Sequence, residues 1–383
     1  MIPNYSEEPI CEMGIKQVVF FCKAPLESGM ANTVQSLQMA RAMSAQSKVL
    51  VLAASKTPES AGKKIKLILG NEISFSWDVS SNPFPVRIIQ LAIWLYRQKG
   101  KSQLVITRSA LIAILVLLLR QRVVLELHSD TLSSNAALTK LVAAILRSNW
   151  GRGIFKVVIS QALGDLLLNK YGFSSNLVLH DGWTASDGLQ RQSSLKKAKN
   201  KRHLVVYTGK ISPDRGIAQI LLLAKRDPYS KFLIIGGSLN ECRHLRIEAA
   251  SQNLSNVRVY SYQRNSRVSF LQNNADMLLA FWSHRVPTMD YCSPLKLFEY
   301  MSTGNKILLH DFNVFKEVIF SSPLINLCEP EDADSEWDRY FELKERVISN
   351  EDIAKVADYS ASFSYSNRAK ILWTESNKGL CSL

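Results

Sequence analysis

Two short segments in the second half of the chain carry the residue types that bind phosphate groups and sugars. In the first, residues 207–217 (YTGKISPDRGI), Gly209 follows a strand and Lys210 and Arg215 flank the start of a helix. Two cations beside a helix N-terminus form a suitable site for a diphosphate. Exposed lysine and arginine residues are common on turns, so a solvated turn is an equal alternative on this segment alone.

The second segment, residues 293–304 (SPLKLFEYMSTG), predicts a helix with another anion-binding N-terminus. Ser293 is expected to cap this helix, and Pro294 suits its first turn. Glu299 lies about one and a half turns into the helix, where its carboxylate can accept hydrogen bonds from two adjacent ribose hydroxyls. The alternative is a surface glutamate, but the mostly apolar neighbours of Glu299 make solvent exposure less expected than usual.

The first half of the chain contains one histidine and one glycine-containing loop that are candidates for the site. His128 comes directly after a predicted strand, residues 123–127, and a histidine at a strand end can serve in acid–base chemistry. A structural role for His128 is an equal alternative. Gly29 lies in the loop at residues 24–32 (APLESGMAN), which follows the first predicted strand.

These residues need a scaffold, and the chain alternates between buried strands and helices. Such alternation predicts an α/β fold in which each half forms a parallel sheet covered by helices, that is, two Rossmann-like, doubly wound domains. Ligands of such sheets bind at the carboxyl ends of the strands. The predicted strands are residues 16–21, 48–53, 104–107, 123–127, 156–159, 203–208, 231–235, 257–260, 277–281 and 306–309.

A polar, lysine-rich stretch divides the two halves. It predicts an N-terminal domain at residues 1–180, a linker at residues 181–202 and a C-terminal domain at residues 203–355. The strand at residues 231–235 runs into Gly236 and Gly237, which lie at the expected ligand edge of the second sheet.

The segment SPLKLFEYMSTG resembles the signature of retaining GT-B glycosyltransferases, in particular glycosyltransferase family 4. The segment YTGKISPDRGI resembles the phosphate-binding turn of the same enzymes, and the likeness continues from about residue 157 to 372. This resemblance implies two Rossmann-like domains that face an interdomain cleft, the first for the acceptor and the second for the donor. It also implies that a C-terminal helix, within residues 356–383, returns to the N-terminal domain.

The resemblance further implies roles for single residues. Lys210 and Arg215 match the basic pair that binds the donor diphosphate, in reversed order, and Glu299 matches the glutamate that binds ribose. The first glutamate of the family's pair falls at Tyr291 and is missing, with Asp290 one position away. His128 matches a histidine near the sugar and is the implied catalytic residue. The implied donor-binding set is Gly29, Gly209, Lys210, Arg215, Gly237, Ser293, Pro294, Leu295 and Glu299.

The charge of the chain bears on its acceptor. It has 47 basic and 33 acidic residues, and residues 1–180 carry a net charge of +10 out of +14. Such a surface suits a polyanion, an anionic membrane or a phosphorylated substrate. Residues 82–101 (NPFPVRIIQLAIWLYRQKGK) predict either a helix on an anionic membrane or an ordinary helix packed on the first sheet. Nucleic acid is not an expected partner because the chain lacks a recognition motif.

The resulting hypothesis is a retaining, metal-independent glycosyltransferase (EC 2.4) without a cofactor. It would move a sugar from a UDP- or GDP-sugar to a hydroxyl of a glycan or lipid-linked acceptor, in cell-surface polysaccharide or lipopolysaccharide synthesis. Asp332 and Asp334 form a DxD string, but their acidic surroundings predict helix surface rather than a metal site. The alternatives are a non-catalytic sugar-nucleotide-binding or scaffold protein and, less favoured, a GT-B epimerase that uses Glu126 and Asp130.

Three features predict a cytoplasmic protein, with peripheral attachment to the inner face of the plasma membrane as a further option. The longest apolar run, residues 110–119, is too short to span a bilayer. The first residues are polar and acidic, unlike a signal peptide. The cysteines form neither a CxxC pair nor a zinc-ligand pattern; they are Cys11, Cys22, Cys242, Cys292, Cys328 and Cys381.

Overall fold

The computed structural model describes residues 15–26, 31–70, 73–98, 102–183 and 202–381. These residues form two compact units, each built on one parallel sheet. The first unit contains the described residues up to Gly182, together with Tyr291–Ser293 and the described residues from Tyr365 onward. The second contains the remaining described residues up to Ser364. Most of the predicted linker, residues 184–201, lies outside the described residues, as does Gly29.

The first unit has a sheet of seven parallel strands in the order β3-β2-β1-β4-β5-β6-β7. Its central strands are almost continuous apolar runs, as expected of strands covered on both faces. The strands are β1 (Gln17–Pro25), β2 (Lys48–Ala54), β3 (Ser76–Ser80), β4 (Gln103–Thr107), β5 (Arg122–Leu127), β6 (Ile154–Val158) and β7 (Leu177–Val178).

Helices cover both faces of this sheet, and each face has its own hydrophobic core. The chain moves outward from β1 to β3 and then returns past β1 to β4, so right-handed crossovers place the later helices on the opposite face. The first face carries α1 (Ala31–Met43), α2 (Pro58–Leu69) and α14 (Tyr365–Cys381). The second carries α3 (Phe84–Arg97), α4 (Ala110–Leu118), α5 (Ala136–Arg147) and α6 (Gln161–Tyr171).

The second unit has a sheet of six parallel strands in the order β10-β9-β8-β11-β12-β13. Its strands are β8 (Leu204–Thr208), β9 (Lys231–Gly237), β10 (Val257–Ser261), β11 (Met277–Ala280), β12 (Lys306–His310) and β13 (Ile325–Cys328). Its helices are α7 (Ile217–Arg226), α8 (Leu239–Ser251), α9 (Asn265–Asn273), α10 (Leu295–Thr303), α11 (Asn313–Lys316), α12 (Ala333–Glu345) and α13 (Asn350–Ala361).

The α/β architecture predicted from the alternation is confirmed, and all ten predicted strands are present. The apolar run at residues 110–119 forms the mostly buried helix α4. Among the described residues, the structure contains no helix with the length and apolar character needed to cross a membrane. Strands β3, β7 and β13 were not predicted.

The strand order reverses once in each sheet. In the first unit the reversal lies between β1 and β4, and in the second between β8 and β11. The carboxyl ends of the two strands at such a point leave a crevice, because their connections leave in opposite directions. These two crevices are therefore where the chemistry of each unit is expected.

Candidate functional site

The turn after β8 is shaped by glycines. Gly209 has a φ of +143°, and its N–H donates to the carbonyl of Ile235 at 2.8 Å. A Cβ on Gly236 would lie only 2.5 Å from the carbonyl oxygen of Gly209, and a Cβ on Gly237 would lie 2.7 Å from the side chain of Ile211. The end of β9 thus packs against the turn backbone without room for side chains, which fixes the turn beneath the crevice.

The turn presents the two predicted cations. Lys210 is exposed, and its ammonium has no hydrogen bond or ion pair within the described part of the chain. Arg215 is partly buried; its Nε lies 3.9 Å from Asp214 Oδ2, too far for a hydrogen bond, and has no other partner among the described residues. Gly216, at a φ of +63°, then opens α7, whose N-terminus no side chain caps. The turn therefore keeps positive charge and backbone N–H groups available for an anion.

A third cation, Lys296 on α10, lies at the same place. Its Nζ is 4.1 Å from the ring centroid of Tyr207 and 5.1 Å from that of Trp282, so it sits over aromatic faces at the ends of β8 and β11. A Cβ on Gly209 would approach this Nζ to 2.7 Å. Burial and the nearby Arg215 lower the pKa of Lys296 to about 7, with Glu299 acting in the opposite direction. The residue is absent from the set predicted from the sequence.

Glu299 lies one turn further along α10. Gln272 Nε2 is 3.5 Å from Glu299 Oε2 and also donates to Thr208 Oγ1 at 3.0 Å. The hydroxyl of Tyr300 accepts the N–H of Thr208 at 3.0 Å, which ties α10 to the end of β8. Although the Glu299 side chain is exposed, the protein packed around it raises its pKa, and Gln272 and Lys296 oppose this.

The expectation that apolar neighbours would shield Glu299 from solvent is wrong. Those neighbours occupy the opposite face of α10, where they enter the core, while Glu299 points outward. This arrangement leaves the carboxylate accessible to a ligand.

The predicted cap of α10 is also wrong. The helix begins at Leu295, and Pro294 occupies the N-cap position without a side-chain hydrogen bond. Ser293 is one residue too early to cap; instead its Oγ accepts the N–H of Asp181 at 2.8 Å and belongs to the first unit. The N-terminus of α10, like that of α7, has no side-chain cap, and this leaves its first N–H groups available.

The first unit gathers a polar network at the carboxyl ends of β4 and β5. Gln35 donates to Asp181 Oδ2 at 3.0 Å and accepts from Arg108 at 2.9 Å. Arg108 Nε lies 3.6 Å from Glu126 Oε2, and His128 lies between the two carboxylates, 3.8 Å from Glu126 and 3.6 Å from Asp181. The five side chains form a closed ring at the edge where ligands of such sheets bind.

Arg368 of α14 completes this network, 242 residues after the glutamate it contacts. Its Nη2 donates to Glu126 Oε1 at 2.9 Å, and its Nη1 contacts the carbonyls of Leu179 and His180. Burial would raise the pKa of Glu126, but Arg368, His128 and Arg108 together hold it well below the ordinary value. Glu126 is therefore ionised and already paired, which makes it a poor acid for an epimerase.

The imidazole of His128 is held between the carboxylates of Glu126 and Asp181. Burial and Arg108 lower the pKa of His128, with Asp181 acting in the opposite direction, so the imidazole is neutral at physiological pH. Its Nε2 is buried and has no hydrogen-bond partner among the described residues. A neutral imidazole held in this way can exchange a hydrogen bond or a proton with a hydroxyl group.

Tyr291, which stands where the family has its first glutamate, has a structural role. Tyr291 is buried in the first unit; its hydroxyl donates to Asp130 Oδ1 at 3.2 Å, and its carbonyl accepts from Ser160 at 2.7 Å. Asp130 also pairs with Lys170 at 2.7 Å. Asp130 is engaged in these contacts, while Asp290 is exposed.

The DxD string lies on helix surface as predicted. Asp332 caps α12 by accepting the N–H groups of Asp334 and Ser335, and Asp334 pairs with Arg226 at 2.9 Å. In the ranges that the structure describes, no group of three or more His, Cys, Asp or Glu side chains is arranged to hold a metal ion.

A cavity of about 160 Å³ opens at the reversal point of the first sheet. The ends of β1 and β4 and the start of α1 line it with side chains that include Cys22, Lys23, Asn32, Ser36 and Arg108. Apolar atoms, such as those of Phe20 and Ile106, make up the larger part of the lining, and the polar and basic side chains can form hydrogen bonds with hydroxyl groups.

Several solved structures with the same architecture are glycosyltransferases. The chain aligns with a glycosyltransferase from Rickettsia africae at a TM-score of 0.72 and 10% identity, over 96% of this chain and 99% of that one. It aligns with Anabaena HepE in complex with UDP and glucose at 0.66 and 14%, over 96% and 99%. The lipopolysaccharide outer core galactosyltransferase WaaB gives 0.65 and 12%, over 96% and 99%.

No protein-family model matches the chain, and no curated protein does. At this low identity the structural likeness shows the fold alone, which is the GT-B fold with its two Rossmann-like α/β units. The predicted fold class is thereby confirmed.

Proposed function

We propose that this protein is a glycosyltransferase that moves a sugar from a nucleotide-diphosphate sugar to a hydroxyl group of an acceptor. The observation that carries the proposal is the convergence of Lys296 and Arg215 on the glycine turn after β8, with Lys210 on the same turn and Glu299 one helical turn away. Cations for two phosphates and a carboxylate for a ribose thus lie on one edge of one sheet.

The cations have a role in the chemistry as well as in binding. As the bond to the sugar breaks, negative charge grows on the nucleoside diphosphate, and fixed positive groups stabilise it. Lys210 and Arg215 supply permanent charge, while Lys296 becomes fully protonated once a diphosphate lies beside it. The proposed mechanism assigns charge neutralisation to these groups rather than to a divalent metal.

The proposed role of Glu299 is to bind the ribose of the donor nucleoside. An exposed carboxylate held beside Gln272 and the turn can accept hydrogen bonds from both hydroxyls of a ribose. Hydrogen bonds to a charged group contribute about 1.5–3 kcal/mol. The donors that fit are UDP- and GDP-sugars, and HepE has been crystallised with UDP-glucose.

The network of the first unit is proposed to act on the sugar or the acceptor. His128 would donate or accept a hydrogen bond once a sugar hydroxyl reaches its Nε2, which is buried in the free protein, and the neighbouring cavity offers Lys23 and Asn32 to a polar acceptor. We further propose transfer with retention of anomeric configuration, in which a donor phosphate oxygen assists deprotonation of the acceptor hydroxyl. The proposed acceptor is a glycan or a lipid-linked precursor of cell-surface polysaccharide or lipopolysaccharide.

The proposal is tested by thermal-shift measurements with UDP, GDP, ADP and their glucose conjugates. A ligand that binds only the native state raises the unfolding midpoint. One nucleotide should raise the midpoint of the wild type, and Glu299→Ala should lose most of that shift. Glu248→Ala, which removes an exposed glutamate from α8 of the same unit, serves as the matched control.

The outcomes separate the candidate functions. A nucleotide shift together with slow release of the nucleoside diphosphate from its sugar conjugate supports a transferase. A shift without turnover, even with membrane and polysaccharide acceptors, would favour a sugar-nucleotide-binding protein. No shift with any nucleotide at millimolar concentration would refute the assignment of the donor site.

A further inference from the structure

Helix α3 of the first unit has two different apolar faces. One face packs on the sheet through Leu91 and Leu95, and Arg87 on the same side is also buried. The other face carries large apolar side chains at helical spacing that are exposed to solvent. This α3 stripe consists of Val86, Ile89, Ile93 and Tyr96, which are 39%, 59%, 48% and 67% exposed.

The helix that carries the α3 stripe and the two helices that follow it in the chain are free of negative charge. Helix α4 packs between α3 and α5, and none of the three contains an acidic residue. The exposed basic side chains on α3 and α5 are Arg97, Lys140 and Arg147. Further exposed apolar side chains on or next to these helices are Leu118, Leu141 and Trp150.

We propose that the α3 stripe and the basic residues around it bind the anionic surface of a lipid bilayer. An apolar helix face inserts among acyl chains, and each lysine or arginine near an anionic surface strengthens binding about fivefold. A protein partner would need some 20–30 contact residues on each side, more than a four-residue stripe provides. Nucleic acid would use the cations and leave the apolar stripe exposed.

Direct contacts link α3, which carries the stripe, to residues that line the cavity of the first unit. On the buried side of α3, Arg87 donates to the carbonyl of Cys22 at 2.6 Å and to that of Lys23 at 3.1 Å. Lys23 in turn lies over the ring of Phe84, the first residue of α3, at 5.1 Å. Membrane binding through α3 would therefore hold the cavity about one helix diameter, ~10 Å, from the lipid headgroups. This step rests on the proposed function, because it supplies a lipid-linked acceptor to that cavity.

The test is sedimentation of the full-length protein with vesicles of two compositions. One is phosphatidylcholine alone, and the other is an equimolar mixture of phosphatidylcholine and phosphatidylglycerol. Wild type should bind the mixed vesicles much more tightly, and added salt should weaken that binding. Ile89→Ser/Ile93→Ser should bind the mixed vesicles at least about tenfold more weakly. The matched control is Leu239→Ser/Ile247→Ser, which removes two exposed aliphatic residues from α8.

A second variant examines the electrostatic part. Arg97→Gln/Lys140→Gln should weaken binding to the mixed vesicles by roughly 25-fold and leave binding to phosphatidylcholine unchanged. Thermal unfolding and the nucleotide-induced shift are measured for every variant, so that a misfolded protein or a failed donor site is recognised separately.

Two results would overturn the inference. The first is wild-type binding that is equal for both vesicle types or absent from both. The second is a wild-type dimer in analytical ultracentrifugation that the Ile89→Ser/Ile93→Ser variant alone abolishes, since the stripe would then be a contact between two copies of the chain.

Discussion

Replacement of Lys296 by glutamine should weaken nucleotide-sugar binding and remove its pH dependence near neutrality. In the free site, burial and Arg215 hold the pKa of Lys296 at about 7, so about half of the molecules lack this charge at pH 7. A diphosphate beside the ammonium stabilises its charged form and raises the pKa. Binding above pH 7 must therefore take up a proton.

The magnitude follows from the protonated fraction. With a pKa of about 7, Lys296 is about nine-tenths protonated at pH 6 and about one-tenth at pH 8, so the Kd should rise roughly tenfold between them, about 1.4 kcal/mol. Loss of a charged hydrogen bond in Lys296→Gln should cost about 1.5–3 kcal/mol at pH 6. The pKa of Glu299 is raised, and its protonation at low pH would weaken binding. This effect makes the Kd fall with rising pH, opposite to the effect of Lys296.

Isothermal titration calorimetry with UDP-glucose, or the sugar conjugate selected by the thermal-shift panel, measures both quantities. Both phosphates of a nucleotide sugar are esterified, so the ligand itself does not titrate near pH 7. Titrations in two buffers of different ionisation enthalpy count the protons taken up. Arg243→Gln removes an exposed cation from α8 of the same unit and should keep the wild-type slope.

A wild-type Kd that is the same at pH 6 and pH 8 would refute this account of Lys296. So would a Lys296→Gln variant that keeps the wild-type pH slope, because the titrating group would then lie elsewhere.

Three further predictions concern stability. Burial opposes ionisation of Asp227, yet hydrogen bonds such as that from Lys344 lower its pKa from 3.8 to about 2. Asp227→Asn should therefore reduce the free energy of unfolding, measured in urea at pH 7, by about 2 kcal/mol. That contribution is complete above about pH 4 and disappears as the pH falls through 2, where the two proteins should unfold alike. Gly216→Ala should lower the thermal midpoint by several degrees, since φ is +63° and the new Cβ would lie 2.3 Å from a phenylalanine side chain; an unchanged midpoint would contradict this. Glu126→Gln should cost about 3–5 kcal/mol by leaving the Arg368 guanidinium without its anion, and Glu126→Gln/Arg368→Met should recover part of the loss.

The sequence was sufficient to predict the scaffold because buried parallel strands are continuous apolar runs. Strand β3 was missed because it is an edge strand (SWDVS) with polar residues at three of five positions. Strand β7 was missed because two residues are too few to show a pattern, and β13 (INLC) because it is an edge strand with a polar asparagine among its four residues.

The site was predicted where its residues are close in sequence and missed where they meet only in space. Lys210 and Arg215 share one turn and could be recognised together. Lys296 joins them only because α10 packs beside the end of β8, although a lysine three residues before Glu299 on the same helix was a usable signal. No local pattern could have linked Arg368 to Glu126. The cap at Ser293 failed because a tertiary contact with Asp181 engages its hydroxyl.

Helix α14 imposes an order on folding during synthesis. It supplies Ala369 and Leu372 to the core beside α1 and Arg368 to the buried Glu126, yet the ribosome makes it after the entire second unit. Until then the nascent first unit has an open apolar groove along α1 and a carboxylate without its main counter-ion. The unit that is begun first is therefore completed last, after the whole second unit has been synthesised.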